Sequence, residues 1–465
     1  MKFYVTLITL FVSLSLSAQE EANLLGTWSD STLIGSNDYN NTYNEIWGYA
    51  DESNEYAIIG STAGTHVIDI TDPTNPTQIV LIPGKVADGR IVHRDYHDHK
   101  GYLYAVSDEG PSSLQIMDLS FLPDSLPVVY DSDSLVVMTH NIFIDSTADK
   151  LYTCTNRGGS LNYFALKIFN ISDPLNPNLI GEYNDLSGLP IQQVHDAYIY
   201  NDTAFLNIGD QGFVIAEFSD PANPRVLSLL QSNDYPQSGY NHSGWLSEDK
   251  STYYMADETW GRDIKVLDVR DFDNLEVLDT IDAGSENEFS IPHNQVVHCD
   301  KLYSSYYYDG LQVYDISDPQ NAVRTHYYPT SNLDYRNSYE GAWGVYPFLP
   351  SGNILVSDMQ EGLFVIENLS SCGLTSTTDL LPSNTVSVFP NPASEYLNIY
   401  FNELPAGSNV LAQWKTMDGR NIGSSVSIMI QENIQLKNLP LNNGIYLLTL
   451  QNENFQIVKK VFIHQ

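Results

Sequence analysis

The sequence predicts an all-β protein, a seven-bladed β-propeller followed by a small β-sandwich, and three observations indicate this. One apolar strand motif returns every 47 to 52 residues over the first three quarters of the chain, which is typical of a repeat architecture. Each repeat contains short apolar runs rich in β-branched and aromatic residues, separated by Asp, Asn, Gly and Pro, without useful helical periodicity. After residue 369 the composition changes, and a different pattern of alternating strands follows.

The repeated motif is clearest in HVIDITDPTNP at residues 66–76. Each copy is an apolar strand that carries one acidic or amide residue, and most copies then enter a proline-punctuated turn. In the seven copies that residue is Asp69, Asp118, Asn170, Glu217, Asp268, Asp315 and Glu367. One four-stranded sheet per repeat of this length is typical of a propeller blade, so the copies predict seven blades.

The third repeat shows how each blade is divided into strands. Its four predicted strands are residues 139–145, 150–155, 166–171 and 178–185. The motif is the third strand, and the turn DPLNP leads from it to the fourth, outer strand.

The last copy of the motif, at 363–369, has no outer strand after it, because the chain turns into a stretch rich in Ser, Thr and Gly. ANLLGTWSD at residues 22–30 closely matches PNLIGEYND at 177–185, which contains the outer strand of the third repeat. We therefore expect the N-terminal segment to complete the final blade. Closing the ring in this way leaves only short strand edges exposed.

The first 18 residues are predicted to be a signal peptide. Lys2 supplies the positive start, residues 3–16 the apolar core, and Ser15, Ser17 and Ala18 the small residues of a cleavage site. The apolar run is shorter than the roughly 20 residues that span a bilayer, and no later stretch is long enough for a transmembrane helix. The predicted domains are thus the signal peptide 1–18, the propeller 19–369, a linker 370–384 and the sandwich 385–465.

The charge balance argues against two classes of partner. With 58 acidic and 21 basic residues the net charge is −37, which disfavours binding to nucleic acid or to an anionic membrane surface. A solvated exterior is the simplest interpretation, and a surface that binds calcium is the alternative. The three cysteines fit neither a disulfide framework nor a zinc motif, so a structural role is predicted for them.

Four motifs stand in order along the C-terminal piece: FPNPASEYLNI at 389–399, MDGR at 417–420, GIYLL at 444–448 and KKVFI at 459–463. With them the tail resembles the C-terminal sorting domain of the type IX secretion system of Bacteroidota. The resemblance implies a Gram-negative host and passage across the outer membrane by the type IX secretion machinery, whose sortase-like peptidase removes the tail. It also implies release of the protein or its attachment to surface lipopolysaccharide, hence an extracellular or outer-membrane-surface location.

The repeat region, through its strand motif with the DPxNP turn and its WG, HN and HD steps, resembles the LVIVD-repeat propellers and the related choice-of-anchor B surface proteins. This resemblance implies a fold and a location but no particular chemistry.

A second repeated feature lies at or near the start of the first strand of every repeat. It is a ring of candidate ligand-binding residues: Trp47, His93, His140, His195, His242, His293 and Trp343. The innermost strand of a propeller blade lines the central channel, so these side chains are expected to point toward one channel mouth. Short polar residues follow several of them, namely Asn141, Asp196, Ser243 and Asn294, and Glu45 and Glu340 precede the two tryptophans.

This ring permits two interpretations. Imidazoles that converge with carboxylates can form a funnel for a ligand or a divalent metal, zinc or calcium, and one histidine can act as a general acid or base. Alternatively, each histidine bonds backbone of its own or the next blade. The repetition favours this structural interpretation, because a catalytic site rarely needs five equal copies.

Two further patterns are weaker candidates. An acidic residue after the second strand recurs as Asp108, Asp210, Asp257, Asp309 and Asp358. These carboxylates are predicted to shape turns, with rim contacts to a cation as the alternative. In DYHDH at 95–99, His97 and His99 share one face of a strand and are a possible metal pair.

The sequence contains no nucleophile elbow, phosphate-binding glycine loop or HExxH motif. The leading hypothesis is therefore a non-enzymatic, exported binding module that engages a protein, glycan or nutrient ligand at the channel mouth. The rival hypothesis is a metal-assisted hydrolase or lyase that uses the histidine funnel.

Overall fold

The computed structural model describes residues 19–158, 163–370, 386–394, 396–401, 409–415, 421–429, 433–437, 439, 443–451 and 456–464. The chain divides into two compact units, Met1–Ser370 and Ser371–Gln465. The predicted signal peptide, residues 371–384 of the predicted linker and the MDGR turn lie outside the described residues.

Within the described residues the protein is all-β, as predicted. Its helical segments there are single 3₁₀ turns at Leu119–Phe121, Ser232–Asp234 and Pro319–Asn321. No helix in this part of the chain is long and apolar enough to cross a membrane.

The first unit begins with two short strands, β1 (Glu20–Glu21) and β2 (Leu24–Trp28). Three groups of four strands follow: β3 (Tyr43–Ala50), β4 (Glu55–Ser61), β5 (Gly64–Asp69), β6 (Thr77–Pro83); β7 (Arg94–His99), β8 (Tyr102–Ser107), β9 (Leu114–Asp118), β10 (Val128–Ser132); β11 (Asn141–Asp145), β12 (Lys150–Arg157), β13 (Tyr163–Asn170), β14 (Asn178–Tyr183). A small hairpin comes next, β15 (Asp185–Leu186) and β16 (Leu189–Pro190).

The remaining strands of this unit form four more groups: β17 (Asp196–Tyr200), β18 (Thr203–Asn207), β19 (Gly212–Glu217), β20 (Arg225–Gln231); β21 (Asn241–Leu246), β22 (Thr252–Asp257), β23 (Ile264–Asp268), β24 (Glu276–Ile281); β25 (Asn294–His298), β26 (Lys301–Ser305), β27 (Leu311–Asp315), β28 (Val323–Tyr328); β29 (Ala342–Tyr346), β30 (Ile354–Asp358), β31 (Gly362–Ile366). In each group the strands pair in chain order as one antiparallel sheet. The strand β1 adds to the edge of the sixth sheet, parallel to β28.

The last group has only three strands of its own, and β2 supplies its fourth. Leu24, Gly26, Thr27 and Trp28 pair with β31, as the match between ANLLGTWSD and the third repeat predicts. Gly26 is needed there because a Cβ at this position would lie 2.3 Å from the carbonyl oxygen of Pro73, in the turn of the first repeat. The acidic residue of the last motif copy, Glu367, accepts hydrogen bonds from the backbone and side chain of Asn23 at 3.1 and 2.7 Å.

The repeated strand motif has an architectural role. In several copies the acidic side chain accepts a hydrogen bond from the backbone N–H two residues later, at 2.9 Å for Asp69 and 3.0 Å for Asp118 and Asp315. This bond begins the turn toward the outer strand.

Hydrophobic contacts join neighbouring sheets face to face. Ile58 and Val67 of the first sheet pack with Leu103, Ala105 and Met117 of the second, and all five side chains are buried. The first strand of each sheet also contacts the first strand of the next sheet, and the last of these contacts the first. The pairs are β3–β7, β7–β11, β11–β17, β17–β21, β21–β25, β25–β29 and β29–β3.

The second unit contains two sheets. Its strands are β32 (Val386–Phe389), β33 (Tyr396–Phe401), β34 (Asn409–Lys415), β35 (Asn421–Met429), β36 (Asn433–Lys437), β37 (Gly444–Gln451) and β38 (Gln456–Ile463). The sheet orders are β32-β33-β36 and β35-β34-β37-β38, and one buried cluster takes side chains from both sheets. Asn391 of the FPNP motif donates to the carbonyl of Lys460 at 3.0 Å and accepts from the backbone of Phe462 at 2.8 Å, which ties this motif to KKVFI.

Candidate functional site

Six of the seven ring residues predicted from the sequence lie together. Their ring centroids form a closed series, hereafter the imidazole circle: His93–His140 4.4 Å, His140–His195 4.0 Å, His195–His242 4.1 Å, His242–His293 4.5 Å, His293–Trp343 4.3 Å and Trp343–His93 5.4 Å. Each of these residues directly precedes the first strand of its sheet or is the second residue of that strand.

Trp47 is the exception, and the prediction for this residue is corrected. The pairing of β3 with β4 is irregular after Tyr43, and the pairing of β29 with β30 is irregular after Ala342. When the two first strands are aligned on this irregularity, Asn44, and not Trp47, occupies the position of Trp343. The shared Trp-Gly dipeptide aligns the two tryptophans in sequence, but the strand pairing does not.

Trp47 belongs instead to a second closed series of rings, hereafter the aromatic circle. Its centroid distances are Trp47–His97 4.6 Å, His97–Phe143 5.1 Å, Phe143–Tyr198 5.1 Å, Tyr198–Trp245 5.0 Å, Trp245–Phe348 5.8 Å, Phe348–Tyr346 5.3 Å and Tyr346–Trp47 5.0 Å. Most members stand three residues beyond an imidazole-circle position on the same strand, which is about 10 Å in an extended chain.

The histidines of the imidazole circle differ in their hydrogen bonds. His293 Nδ1 donates to the carbonyl of Trp343 at 2.5 Å, as the structural interpretation predicts. His140 Nδ1 lies 2.8 Å from Asp108 Oδ2. The Nδ1 atoms of His93, His195 and His242 are buried without a hydrogen-bond partner among the described residues. Backbone bonding therefore accounts for only part of the circle.

The pKa values of the five histidines in the imidazole circle also differ. Burial lowers the pKa of His93, His195 and His242 well below the usual value, and lowers that of His293 to about 3. Burial opposes the charge on His140 as well, but the Asp108 carboxylate outweighs it and raises the pKa of this imidazole. The circle thus combines one His–Asp pair, in which the charged imidazole is favoured, with four imidazoles in which the neutral form is favoured.

Two glutamates that the sequence patterns did not single out stand at the circle. Glu109 accepts hydrogen bonds from the backbone of Val92 and His93, both at 3.0 Å. Glu258 accepts from the hydroxyl of Tyr307 at 2.5 Å, and one of its oxygens lies 3.8 Å from His242 Nε2. Burial raises the pKa of each glutamate to about 7. The only sequence signal for them is that each follows one of the repeated turn aspartates.

Three side chains at the imidazole circle, two histidines and one glutamate, can hold a metal ion. One ligand atom each from His195, His242 and Glu258 lies within 4.8 Å of the other two. Two imidazoles and one carboxylate suit zinc and similar ions and leave further coordination positions open. Calcium, the other ion considered from the sequence, prefers oxygen ligands throughout and fits this set poorly.

Aromatic side chains surround this group. Tyr240 lies 5.3 Å from His195, and Tyr307 lies 4.9 Å from His293, between ring centroids. Tyr339 contacts Tyr307 at 5.6 Å and stacks with Trp260 at 5.5 Å. Tyrosine and tryptophan present flat apolar faces together with hydrogen-bonding groups, which suits contact with a ligand.

Neither the metal pair predicted in DYHDH nor a cysteine-containing metal site is formed by the described residues. His97 belongs to the aromatic circle, whereas His99 Nε2 lies 2.7 Å from Asp149, so the DYHDH run forms no metal pair. The group Glu248, His298 and Cys299 also converges, but Cys299 is disulfide-bonded, which removes its thiolate as a ligand. Cys154 is a buried free thiol.

The repeated aspartates after the second strands have varied roles. Asp358 accepts from the backbone of Gln360 and Glu361 at 2.9 and 3.0 Å, as a turn residue does. Asp309 accepts from the hydroxyls of Ser290 and Tyr335 at 2.7 and 2.6 Å. Asp257 pairs with the buried Lys265, and Asp108 pairs with His140. These two aspartates therefore have contacts beyond the predicted role in shaping a turn.

Two models of known protein families match stretches of the chain. The model of the LVIVD repeat matches residues 53–80 and 163–185, and the model of the secretion system C-terminal sorting domain matches residues 387–464. The chain therefore carries LVIVD repeats and a sorting domain, as its motifs predict. The sorting domain marks the protein for export to the cell surface or the medium of a Gram-negative bacterium, which confirms the predicted localisation.

Similarity to individual proteins is remote. No curated protein matches the chain. The solved structure of U3-55K is 8% identical, covers 75% of this chain and 100% of its own, and superposes with a TM-score of 0.52, a likeness of fold alone. The computationally designed Ika8 protein is 9% identical, covers 93% of this chain and 99% of its own, and has a TM-score of 0.43.

Proposed function

We propose that the repeat region is a closed seven-bladed β-propeller and that the protein is an exported binding module whose ligand is held at a metal centre in the channel mouth. Two observations support the closed ring. There are seven successive sheets of four strands each, with β2 completing the last and β1 added to the edge of the sixth, and the first strand of the last sheet contacts the first strand of the first sheet. In this arrangement the imidazole circle surrounds the central axis.

The convergence of His195, His242 and Glu258 within 4.8 Å carries the proposal of a metal centre. A zinc-like ion bound by three protein groups keeps at least one position for an outside ligand. The neighbouring tyrosines then offer the flat surfaces and hydroxyl groups that orient such a ligand. A ligand with an exposed carboxylate or carbonyl oxygen, as in a peptide or a sugar acid, suits this combination.

One observation favours a second candidate function, a metal-assisted hydrolase. The His140 ring lies 4.0 Å from that of His195, and Asp108 holds its Nδ1 at 2.8 Å. An imidazole oriented by a carboxylate beside a metal ion can act as general acid or base toward metal-bound water. Turnover of simple ester or amide substrates by the zinc-loaded protein, lost in His140→Gln, would distinguish this function from binding alone.

The metal centre predicts stoichiometric zinc binding. We expect one zinc ion per chain by calorimetry and by elemental analysis after gel filtration. Glu258→Gln, His195→Gln and His242→Gln are each expected to weaken zinc binding by at least 100-fold, because each removes one of three ligands. His326→Gln, on the outer strand β28, is the matched control and is expected to leave zinc binding unchanged.

Circular dichroism of each variant separates loss of the site from loss of the fold. Glu258→Gln keeps the shape of the side chain and is the decisive variant. Zinc affinity equal to that of the parent in folded Glu258→Gln, or an unsubstituted protein that binds no zinc, would contradict the proposed centre.

The sorting domain predicts a strong effect of its removal on export. A chain that lacks residues 387–464 is expected to stay in the periplasm of its host, because the machinery at the outer membrane recognises this domain. Immunoblots of periplasm, cell surface and medium measure the distribution. A reporter that carries the same signal peptide and residues 371–465 should reach the surface or medium. Equal export of the truncated and complete chains would disprove this role.

A further inference from the structure

The region between the imidazole circle and the aromatic circle contains a cavity of about 70 Å³. The carboxyl groups of Glu45, Asp95 and Asp196 line it, together with the amides of Asn141 and Asn294. Among its described lining residues there is no lysine and no arginine. Three acids thus face one small space without a cationic side chain.

Neutral donors hold these carboxyl groups in position. Glu45 accepts from the backbone of Ile46 and the amide of Asn294, both at 3.0 Å. Asp95 accepts from the backbone of Tyr96 at 2.8 Å and of Ile142, in the next sheet, at 2.6 Å. These bonds orient the carboxylates but do not balance their charge.

The lack of a countercharge also affects the pKa of two of these carboxyl groups. Burial raises the pKa of Glu45 to about 7, and it raises that of Asp95 well above the usual value. Buried carboxylates are costly unless a cation accompanies them. A cation that enters the cavity would therefore bind to charges that the fold leaves uncompensated.

We infer that this cavity is a binding site for the head group of an organic ammonium cation, with the aromatic circle as its wall. Trp47, Phe143 and Trp245 belong to both the aromatic circle and the cavity lining. The faces of tryptophan and other aromatic rings attract ammonium groups within about 6 Å, and such cages recognise alkylated amines. The carboxylates supply the opposite charge on the inner side.

Two features favour an organic cation over a bare metal ion. The oxygens of Glu45, Asp95 and Asp196 do not form one of the groups of ligand atoms that converge within 4.8 Å in the described part of the chain. A cavity of this volume has room for several water-sized atoms, which suits an ammonium head group with its substituents. The indole of Trp47 is also fixed in advance, since its Nε1 donates to Asp98 at 2.9 Å.

This site is separate from the proposed metal centre. The residues of that centre, His195, His242 and Glu258, are not among those that line the cavity. A test of the ammonium site therefore does not depend on whether the protein binds zinc.

Calorimetry on the mature full-length protein tests the inference with three probes: tetramethylammonium chloride, ethylammonium chloride and, as control, sodium chloride at equal ionic strength. We expect saturable binding of an ammonium probe and none of sodium. Glu45→Gln is expected to weaken binding about tenfold, and Trp47→Leu about 5- to 30-fold through loss of the cation–π contact. Glu276→Gln, an exposed acid on β24, is the matched control and should bind like the parent.

A pH series with tetramethylammonium separates the role of Glu45 from general attraction, because the charge of this probe does not titrate. A carboxyl group with a raised pKa gains its charge as pH rises through that value, so affinity is expected to be about tenfold higher at pH 8 than at pH 6. Asp95 and Asp196 face the same cavity. The raised pKa of Asp95 acts in the same direction, whereas burial lowers the pKa of His97 and so disfavours its charged form. In Glu45→Gln the rise should be smaller.

Preference for tetramethylammonium identifies a quaternary amine as the ligand class, and preference for ethylammonium identifies a primary amine. Binding of sodium as strong as that of both ammonium probes, or no saturable binding, overturns the inference. So does parental affinity in folded Glu45→Gln, a variant that keeps the size of the side chain and remains interpretable even where Trp47→Leu unfolds.

Discussion

A chain that begins at residue 31 is expected to lose much of the stability of its repeat region. The truncation removes β2, the fourth strand of the last sheet, and leaves the hydrogen-bonding edge of β31 open along Leu363–Ile366. It also removes Trp28, whose ring contacts Tyr43 at 5.9 Å and His66 at 5.1 Å in the first sheet. Because β2 touches both ends of the series of sheets, its loss affects the contact between the last repeat and the first.

The expected size of this effect follows from the surfaces involved. Leu25 and Trp28 are partly buried against the cluster that contains Ile68 and Val365. Burial of two such side chains contributes about 3 to 5 kcal/mol, and the exposed edge of β31 adds a tendency to aggregate. We expect the melting temperature in calorimetry to fall by roughly 10 °C, with aggregation on heating.

A shorter truncation is the matched control for this prediction. A chain that begins at Ala22 lacks only β1, the exposed two-residue strand at the edge of the sixth sheet. It should melt within about 2 °C of the parent. Equal melting temperatures for the chains that begin at residues 19 and 31 would show that β2 does not stabilise the repeat region.

Replacement of Lys265 by methionine is expected to cost about 3 to 5 kcal/mol of unfolding free energy. Lys265 Nζ lies 3.0 Å from Asp257 Oδ2, and both side chains are fully buried. Without the ammonium group, the Asp257 carboxylate keeps only neutral donors, namely the hydroxyl of Tyr235, the backbone of Gly239 and the amide of Asn241. A buried charge that loses its partner is strongly destabilising.

A double-mutant cycle in urea measures this interaction. The double variant Asp257→Asn with Lys265→Met should recover part of the loss, because no unpaired charge remains. Arg225→Met, which breaks the exposed pair with Glu217, is the control and should cost less than about 1 kcal/mol. Equal costs for Lys265→Met and Arg225→Met would contradict the assignment of Lys265 as an essential buried partner.

The strands of the repeats were predictable because their pattern is local and occurs seven times. In the third repeat the strands predicted at 139–145, 150–155, 166–171 and 178–185 correspond to β11, β12, β13 and β14. The partner of β31 was predictable across more than 330 residues for the same reason: ANLLGTWSD resembles another outer strand. Because the motif is repeated, its copies can be compared with one another within this one sequence, which is not possible for a motif that occurs once.

The composition of the site was only partly predictable. The histidines of the imidazole circle recur at the start of the first strands, so their convergence follows from the fold. Glu258 and Glu109 occur without a repeated pattern, and their position depends on how each turn after the second strand bends toward the circle. The displacement of Trp47 to the aromatic circle depends on one irregularity in the pairing of β3.

The sequence by itself determined the period, the strand order, the pairing of the N-terminal segment with the last motif copy, and the sorting domain. Each of these rests on contacts between residues that are close in the chain or on patterns that recur. Only the tertiary structure decided which side chains meet: the imidazoles with Glu258, the three carboxyl groups around the cavity, and the rings of the aromatic circle. The physical reason is that these side chains come from strands about 50 residues apart, where a shift of one residue in strand pairing changes which face, and which level, a side chain occupies.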